Sequence, residues 1–153
     1  YVLDSIEGKG ENKSSILETE IKLDCYWGSS IPKSYINADS ERIDIYKRLE
    51  HSEPNKVDEI KNEIIDRFGK VPEITENLFS TAKIRSKLQT KEIIRCKIRK
   101  FQIELFPIDL TENIKLSIEK YDKKFIFRNK RLVMNFNQSL TPESTYEFLD
   151  SIL

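Results

Sequence analysis

The hydrophobic pattern of this chain changes its period twice, and this change limits the possible folds more than any other sequence feature. Apolar and polar residues alternate from Glu20 to Trp27, as in a strand with one buried face. From Asp39 to Gln89 the apolar residues recur at helical spacing, and beyond Lys91 the alternation returns. The pattern predicts an α+β fold: a three-helix array followed by a small, mostly antiparallel sheet with a packed C-terminal helix.

The middle helix of the array has the clearest boundaries. It is predicted from about Lys56 to Phe68, Gly69 offers the turn that stops it, and Pro72 starts the next helix, which runs to about Gln89. Its apolar stripe is predicted to comprise Val57, Ile60, Ile64, Ile65 and Phe68.

The first helix of the array is predicted to begin at an Asn37 or Asp39 cap. Its buried arc is predicted to comprise Ile43, Tyr46 and Leu49, with Arg42 lying in the same arc.

Three charged residues lie together near the end of the middle helix. Glu63 and Arg67 are one turn apart, and Asp66 lies beside them, outside the apolar stripe. On physical grounds alone, this is a solvated face with a Glu63–Arg67 pair worth about 0.3 to 0.5 kcal/mol.

The same region carries a set of motifs. It reads Ile31-Pro32-Lys33-Ser34-Tyr35-Ile36, then Asp39, Arg42, Tyr46, Arg48 and Leu49, then Asp66-Arg67-Phe68-Gly69 and Pro72. In identity and spacing, these nearly 60 residues resemble the C-terminal domain of the bacterial transcription-repair coupling factor. Beyond Leu88 the resemblance is one of general layout.

This resemblance implies a function for the domain. The parent protein would be an ATP-driven DNA translocase that removes stalled RNA polymerase and recruits the damage-recognition subunit of nucleotide excision repair. The domain would be a non-catalytic regulator that docks on the N-terminal repair-recruiting module and masks its surface for that subunit. The family's clamp contacts fall on Glu63, Asp66 and Arg67, which are therefore the predicted protein interface.

The C-terminal half is predicted to hold two strand pairs and two helices. Strands are predicted around Ile94–Ile98 and Phe101–Leu105, and a hairpin over residues 125–136 turns at Arg128–Arg131. Residues 111–121 fit a strand or a helix capped by Thr111, and a helix is chosen. A final helix begins at Thr141 and Pro142. The helical and sheet halves are predicted to share one core that includes Leu149.

Composition limits the function classes. With 26 basic and 26 acidic residues, no overall charge draws the chain to nucleic acid or membranes, and no direct nucleic-acid binding is expected. His51, in a predicted exposed loop, is the sole histidine, and no glycine stands in a phosphate-binding loop. Catalytic residues, a metal site and a cofactor are therefore not expected.

The two cysteines indicate a cellular compartment, and the first residues indicate how the chain is divided. Cys25 and Cys96 lack metal-site spacing, and as free thiols they fit a reducing cytoplasm, which for the family resembled would be that of a bacterium. The chain is predicted to be a piece of a longer protein. Residues 1–19 would be the end of an upstream helix and a flexible linker, and residues 20–153 would be the domain itself.

A second function remains open. Arg95, Lys97 and Arg99 alternate on the face of a strand opposite its apolar residues and could follow phosphates. A nucleic-acid-binding module is thus the alternative, although no aromatic residue is expected among these cations on that face, so a stacking platform is missing. The bland explanation is a solvated, aggregation-resistant sheet face.

Overall fold

The computed structural model describes residues 21–153, and within them the predicted α+β fold is confirmed. Five helices and five strands form in this part of the chain. They are β1 (Lys22–Cys25), α1 (Asp39–Glu50), α2 (Pro54–Phe68), α3 (Glu73–Thr90), β2 (Arg95–Ile98), β3 (Gln102–Phe106), α4 (Glu112–Glu119), β4 (Ile126–Arg128), β5 (Arg131–Asn135) and α5 (Pro142–Ile152). The predicted helix end and linker over residues 1–19 lie outside the described residues. Within residues 21–153, the helices are all too short or too polar to cross a lipid bilayer.

The five strands form one mixed sheet in the order β1-β2-β3-β5-β4. The β1–β2 pair is parallel, and the other three pairs are antiparallel. Helices α1, α2 and α3 form the crossover between the two parallel strands, as such a connection requires. The helical array is therefore an insertion between the first two strands of the sheet.

The interior consists of two apolar clusters, so the prediction of one joint core needs correction. One cluster joins the inner face of the sheet to α5 and the C-terminal half of α3, and the other fills the array of α1, α2 and α3. Helix α3 contributes to both: Phe79 and Ala82 face the array, and Ile84 and Leu88 face the sheet. An 18-residue helix is about 27 Å long, long enough to serve two separate clusters.

The last helix forms as the sequence predicts. The Thr141 hydroxyl accepts from the Ser144 backbone N–H at 3.0 Å, and the Ser144 hydroxyl accepts from the Thr141 backbone N–H at 2.8 Å. This reciprocal cap leaves Pro142 in the first turn. The predicted stripe is buried along its whole length: Thr145, Phe148, Leu149 and Ile152.

The ambiguous segment is a helix, as chosen. The Thr111 hydroxyl accepts from the Ile114 N–H at 3.2 Å, and Ile118 is buried while Leu116 is exposed. A strand would have placed Leu116 on the same face as Ile118. The hairpin also forms, and Asn129 and Lys130 both have positive φ, as a two-residue turn between strands requires.

Some predicted core positions were wrong. Ile43 is 52% exposed, because α1 packs through Ile45 and Leu49 instead, and Ile65 is 38% exposed on α2. Both lie at the edge of a helical apolar arc, where helical spacing alone does not decide between core and solvent.

The predicted caps of α1 were also wrong. The N-cap is Ala38, which has no side chain able to accept from the helix. Arg42 orders this helix start instead, donating from one guanidinium nitrogen to the carbonyls of Ile36 at 2.6 Å and Asn37 at 2.8 Å. Asp39, the first helical residue, pairs with the same guanidinium.

Candidate protein-docking surface

The end of α2, which carries the predicted interface, is fixed by Gly69. The Gly69 N–H donates to the Ile65 carbonyl at 2.9 Å, and its φ of +87° is one that other residues rarely adopt. Apart from Gly69 itself and the residues next to it, no described part of the chain comes within 4 Å of the place where a Cβ would be. The glycine is thus needed for its backbone conformation rather than for space.

Tyr35 anchors this helix end to the loop before α1. Its hydroxyl donates to the Gly69 carbonyl at 2.7 Å, and its ring meets the Phe68 ring edge-on, with the centroids 6.1 Å apart. Burial raises the pKa of Tyr35 above its usual value, so the hydroxyl keeps the proton that it donates. The Ile31–Ile36 and Asp66–Gly69 motifs are therefore in direct contact.

A second set of motif residues holds the same loop on α1. The Tyr46 hydroxyl accepts from the Ile31 N–H at 2.8 Å, and Arg42 makes the two carbonyl contacts described above. The Arg42 side chain is only 13% exposed. Its guanidinium is therefore held against backbone carbonyls, within the arc in which the sequence placed it.

Glu63 on α2 forms an ion pair with a residue of α1. Both of its carboxylate oxygens accept from the Arg48 guanidinium on α1, at 2.8 and 2.9 Å. This hydrogen-bonded pair lowers the pKa of Glu63 and raises that of Arg48. Glu63 therefore stays ionised at neutral pH, in a fixed bidentate geometry.

Arg67 is also paired with α1. Its guanidinium donates to the Glu41 carboxylate and lies over the Phe68 ring, with Cζ 4.7 Å from the centroid. The Arg67 side chain remains 53% exposed and that of Glu41 35% exposed. The charge of Arg67 is thus held in place but still reachable by a partner.

The predicted Glu63–Arg67 ion pair is absent among the hydrogen-bonded and ion-paired contacts of residues 21–153, and both side chains bind α1 instead. Asp66 is exposed and has no ion-pair partner within the same residues. The three predicted residues thus share one surface, to which α1 adds Glu41 and Arg48. We call this set of five residues the clamp face.

Glu41 and Arg48 were missed as members of the clamp face. Arg48 belonged to the sequence motif, but which acid it would meet depends on how α1 packs on α2. The Arg48–Glu63 contact joins residues 15 positions apart, and the Glu41–Arg67 contact joins residues 26 positions apart. Both separations are far beyond the spacing of neighbours within one helix.

The other candidate reactive groups lie apart from the clamp face. His51 is exposed at the end of α1, as predicted, with Glu50 3.8 Å away. Cys25 and Cys96 are free thiols; burial raises the pKa of Cys25 to about 12 and that of Cys96 still further. Both therefore remain protonated at neutral pH. Within residues 21–153, groups of three or more His, Cys, Asp or Glu arranged to hold a metal are absent.

The basic strand face differs from its prediction. Arg95, Lys97 and Arg99 are exposed on the outer side of the sheet, and Arg99 pairs with Asp24 at 2.9 Å. An aromatic ring does stand beside them, because Phe106 on β3 is the partner of Arg95. It was missed because the neighbour comes from another strand rather than from the alternation along one strand.

The class of the domain follows from comparison with known proteins. Residues 27–120, well over half of the chain, match the TRCF domain family model, and they include every element of the clamp face. The chain therefore belongs to the TRCF domain family.

The relatives are transcription-repair-coupling factors. That of Buchnera aphidicola is 38% identical over 79 residues, which cover 51% of this chain and 10% of the relative. That of Bacillus subtilis is 37% identical over 95 residues, covering 58% of this chain and 8% of the relative. The chain thus spans about a tenth of the length of these relatives.

A solved structure shares the fold. A crystal structure of the C-terminal domain of transcription-repair coupling factor superposes with a TM-score of 0.72 and 18% identity, covering 89% of this chain and 94% of that one. The resemblance drawn from the motifs is thereby confirmed: this is a C-terminal domain of the transcription-repair coupling factor type.

Proposed function

We propose that this domain is the non-catalytic regulator of a longer transcription-repair coupling factor, acting in the bacterial cytoplasm. It docks through the clamp face on the N-terminal repair-recruiting module of that protein. Docking masks the surface that binds the damage-recognition subunit of excision repair. Repression ends when the translocase engages RNA polymerase on DNA.

The observation that carries this proposal is the way in which the charges of the clamp face are held. Arg48 and Glu41 fix Glu63 and Arg67 on two packed helices, so little side-chain freedom remains to be lost on docking. Asp66 adds an exposed carboxylate beside them. Such an arrangement can recognise a complementary charged surface with defined orientation.

The polar character of the clamp face also suits a reversible contact. Contacts between domains of one chain are more polar than permanent interfaces, and they can open when another binding event favours the open form. A large apolar contact would resist this release. The proposed regulator needs both a docked state and a released state.

Reversing one ion pair of the clamp face tests the proposal. Arg48→Glu combined with Glu63→Arg keeps an ion pair but inverts the sign of both positions. We expect stability to change by less than about 1 kcal/mol, since exposed pairs contribute little either way. Docking on the separately produced N-terminal module should weaken at least ~10-fold by calorimetry, because complementary contacts become repulsive.

The chain offers a matched control for this exchange. Asp58 on α2 and Lys83 on α3 form another interhelical pair, at 2.8 Å. Asp58→Lys with Lys83→Asp reverses that pair outside the clamp face and should leave docking unchanged. If the Arg48/Glu63 exchange docks as tightly as the unsubstituted chain, the clamp face is not the docking surface.

We also expect the isolated domain to have no ATPase activity. The sequence lacks a phosphate-binding loop and a nucleophile–histidine pair in one motif, so the pure domain should hydrolyse ATP no faster than buffer. Phosphate release with and without DNA measures this. Turnover that survives repurification and follows the domain through gel filtration would contradict a purely regulatory role.

A further inference from the structure

The outer face of the sheet carries an excess of positive charge that the neutral chain total conceals. Side chains on this face belong to alternate residues of each strand. Within residues 21–153, its charged members are six cations and two acids: Lys22, Arg95, Lys97, Arg99, Arg128 and Arg131, with Asp24 and Glu104. Helices α3 and α5 cover the opposite face.

Four of these cations lie in one line across the strands. Lys22 is the partner of Arg95, Arg95 of Phe106, and Arg128 of Arg131. Arg131 closes the line, because its Cζ lies 5.9 Å from the centroid of the Phe106 ring. We call these five residues the basic rung; at about 4.8 Å per strand it spans about 19 Å.

The two acids of this face neutralise only part of its positive charge. Asp24 is occupied by Arg99 at 2.9 Å, and Glu104 contacts Arg131 at 3.4 Å. Arg95, Lys97 and Arg128 have no acidic partner within residues 21–153. A net positive strip therefore faces solvent, and the cost of holding these charges close together would be relieved by a bound polyanion.

An apolar depression adjoins the rung. It has a volume of about 380 Å³, and its lining combines Phe106, Val133 and Ile126 with Arg128, Asn129 and Arg131. Ile126 is 59% exposed and forms part of the apolar floor of the depression. The site thus offers a flat ring, an apolar floor and flanking guanidinium groups.

We infer that the basic rung and its depression bind single-stranded nucleic acid. A single strand supplies phosphates at regular intervals and unpaired bases whose flat faces stack on aromatic side chains. An acidic peptide such as polyglutamate would supply the charges but no flat rings for Phe106. This inference is independent of the proposed docking, involves no residue of the clamp face, and reverses the sequence-based expectation that the domain does not bind nucleic acid.

Fluorescence anisotropy of a labelled oligothymidylate tests the inference with the whole 153-residue chain. We expect saturable binding at about 50 mM salt, weakening with a log–log slope of about −3 if four phosphates are neutralised. Arg95→Glu with Arg128→Glu should weaken binding at least ~10-fold, since two phosphate contacts become repulsive. Circular dichroism confirms that the variant is folded.

The matched control is Lys115→Glu with Lys120→Glu. It changes the net charge equally, but at Lys115 on α4 and at Lys120, the C-cap residue of that helix. Helix α4 packs through Ile118 against the inner side of the sheet. This variant should bind within about twofold of the unsubstituted chain, because long-range charge is screened. An equal loss in both variants would show a non-specific charge effect and overturn the site.

A third variant tests the ring itself. Phe106→Leu keeps an apolar side chain but removes the flat face, and it should weaken binding to the single strand ~5-fold or more. Unchanged binding would overturn the stacking role. No binding at about 100 μM chain, equal affinity for a duplex, or displacement by polyglutamate at equal charge concentration would each overturn the assignment to single-stranded nucleic acid.

Discussion

Leu149→Ala is expected to lower the free energy of unfolding by about 2 to 5 kcal/mol. Leu149 is 0% exposed and lies among the residues that join α5 to the sheet and to α3. Removing its three outer carbons leaves a cavity that rigid neighbours fill only in part. Urea unfolding followed by circular dichroism measures the loss.

A surface leucine provides the control for this change. Leu116 on α4 is 53% exposed, so Leu116→Ala makes the same chemical change with little loss of packing. It should alter the free energy of unfolding by no more than about 0.5 kcal/mol. If Leu149→Ala had as small an effect, α5 would not be part of the sheet-side core.

Alanine substitution of Glu63, Asp66 and Arg67 together is expected to weaken docking on the N-terminal module at least ~25-fold. Losing close, partly desolvated charge contacts costs about 2 to 5 kcal/mol at an interface, and about 1.4 kcal/mol corresponds to tenfold in affinity. The domain itself should lose far less, since the pairs with Arg48 and Glu41 lie in exposed positions worth at most about 1 kcal/mol each. Titration calorimetry of the two separate modules gives the affinity.

A charge-matched triple variant distinguishes the loss of clamp-face contacts from a general change in the charge of the domain. Glu112→Ala, Lys115→Ala and Glu119→Ala on α4 also remove two acids and one base. That variant should dock like the unsubstituted chain. Equal weakening by both variants would place the effect in overall charge or stability rather than in the clamp face.

The sequence predicted those parts of the fold that depend on local chemistry. Gly69 and Pro72 marked a helix end and a helix start, and Thr141 with Pro142 marked the last helix, because caps and turns act within a few residues. The period change likewise separated the helical array from the sheet. These features were confirmed because no distant contact is needed to produce them.

What the sequence did not predict depends on tertiary contacts. The charges of Glu63 and Arg67 were placed on the right surface, but their partners on α1 were unknown, because helix packing chooses among many acids and bases. Phe106 joined the basic strand face only through pairing between β2 and β3. Ile43 and Ile65 were assigned to the core because helical spacing does not show where a neighbour ends.

The most direct test of the regulatory proposal is a pull-down of the damage-recognition subunit by the full-length coupling factor to which we propose this domain belongs. The Glu63, Asp66 and Arg67 alanine variant, the α4 control variant and the unsubstituted protein are compared without RNA polymerase, with folding confirmed by circular dichroism. The account predicts strong capture by the clamp-face variant alone, because its docking surface is lost and the repair-recruiting module is exposed. Equal, weak capture by all three proteins would contradict the account and leave the clamp face a solvated helix surface.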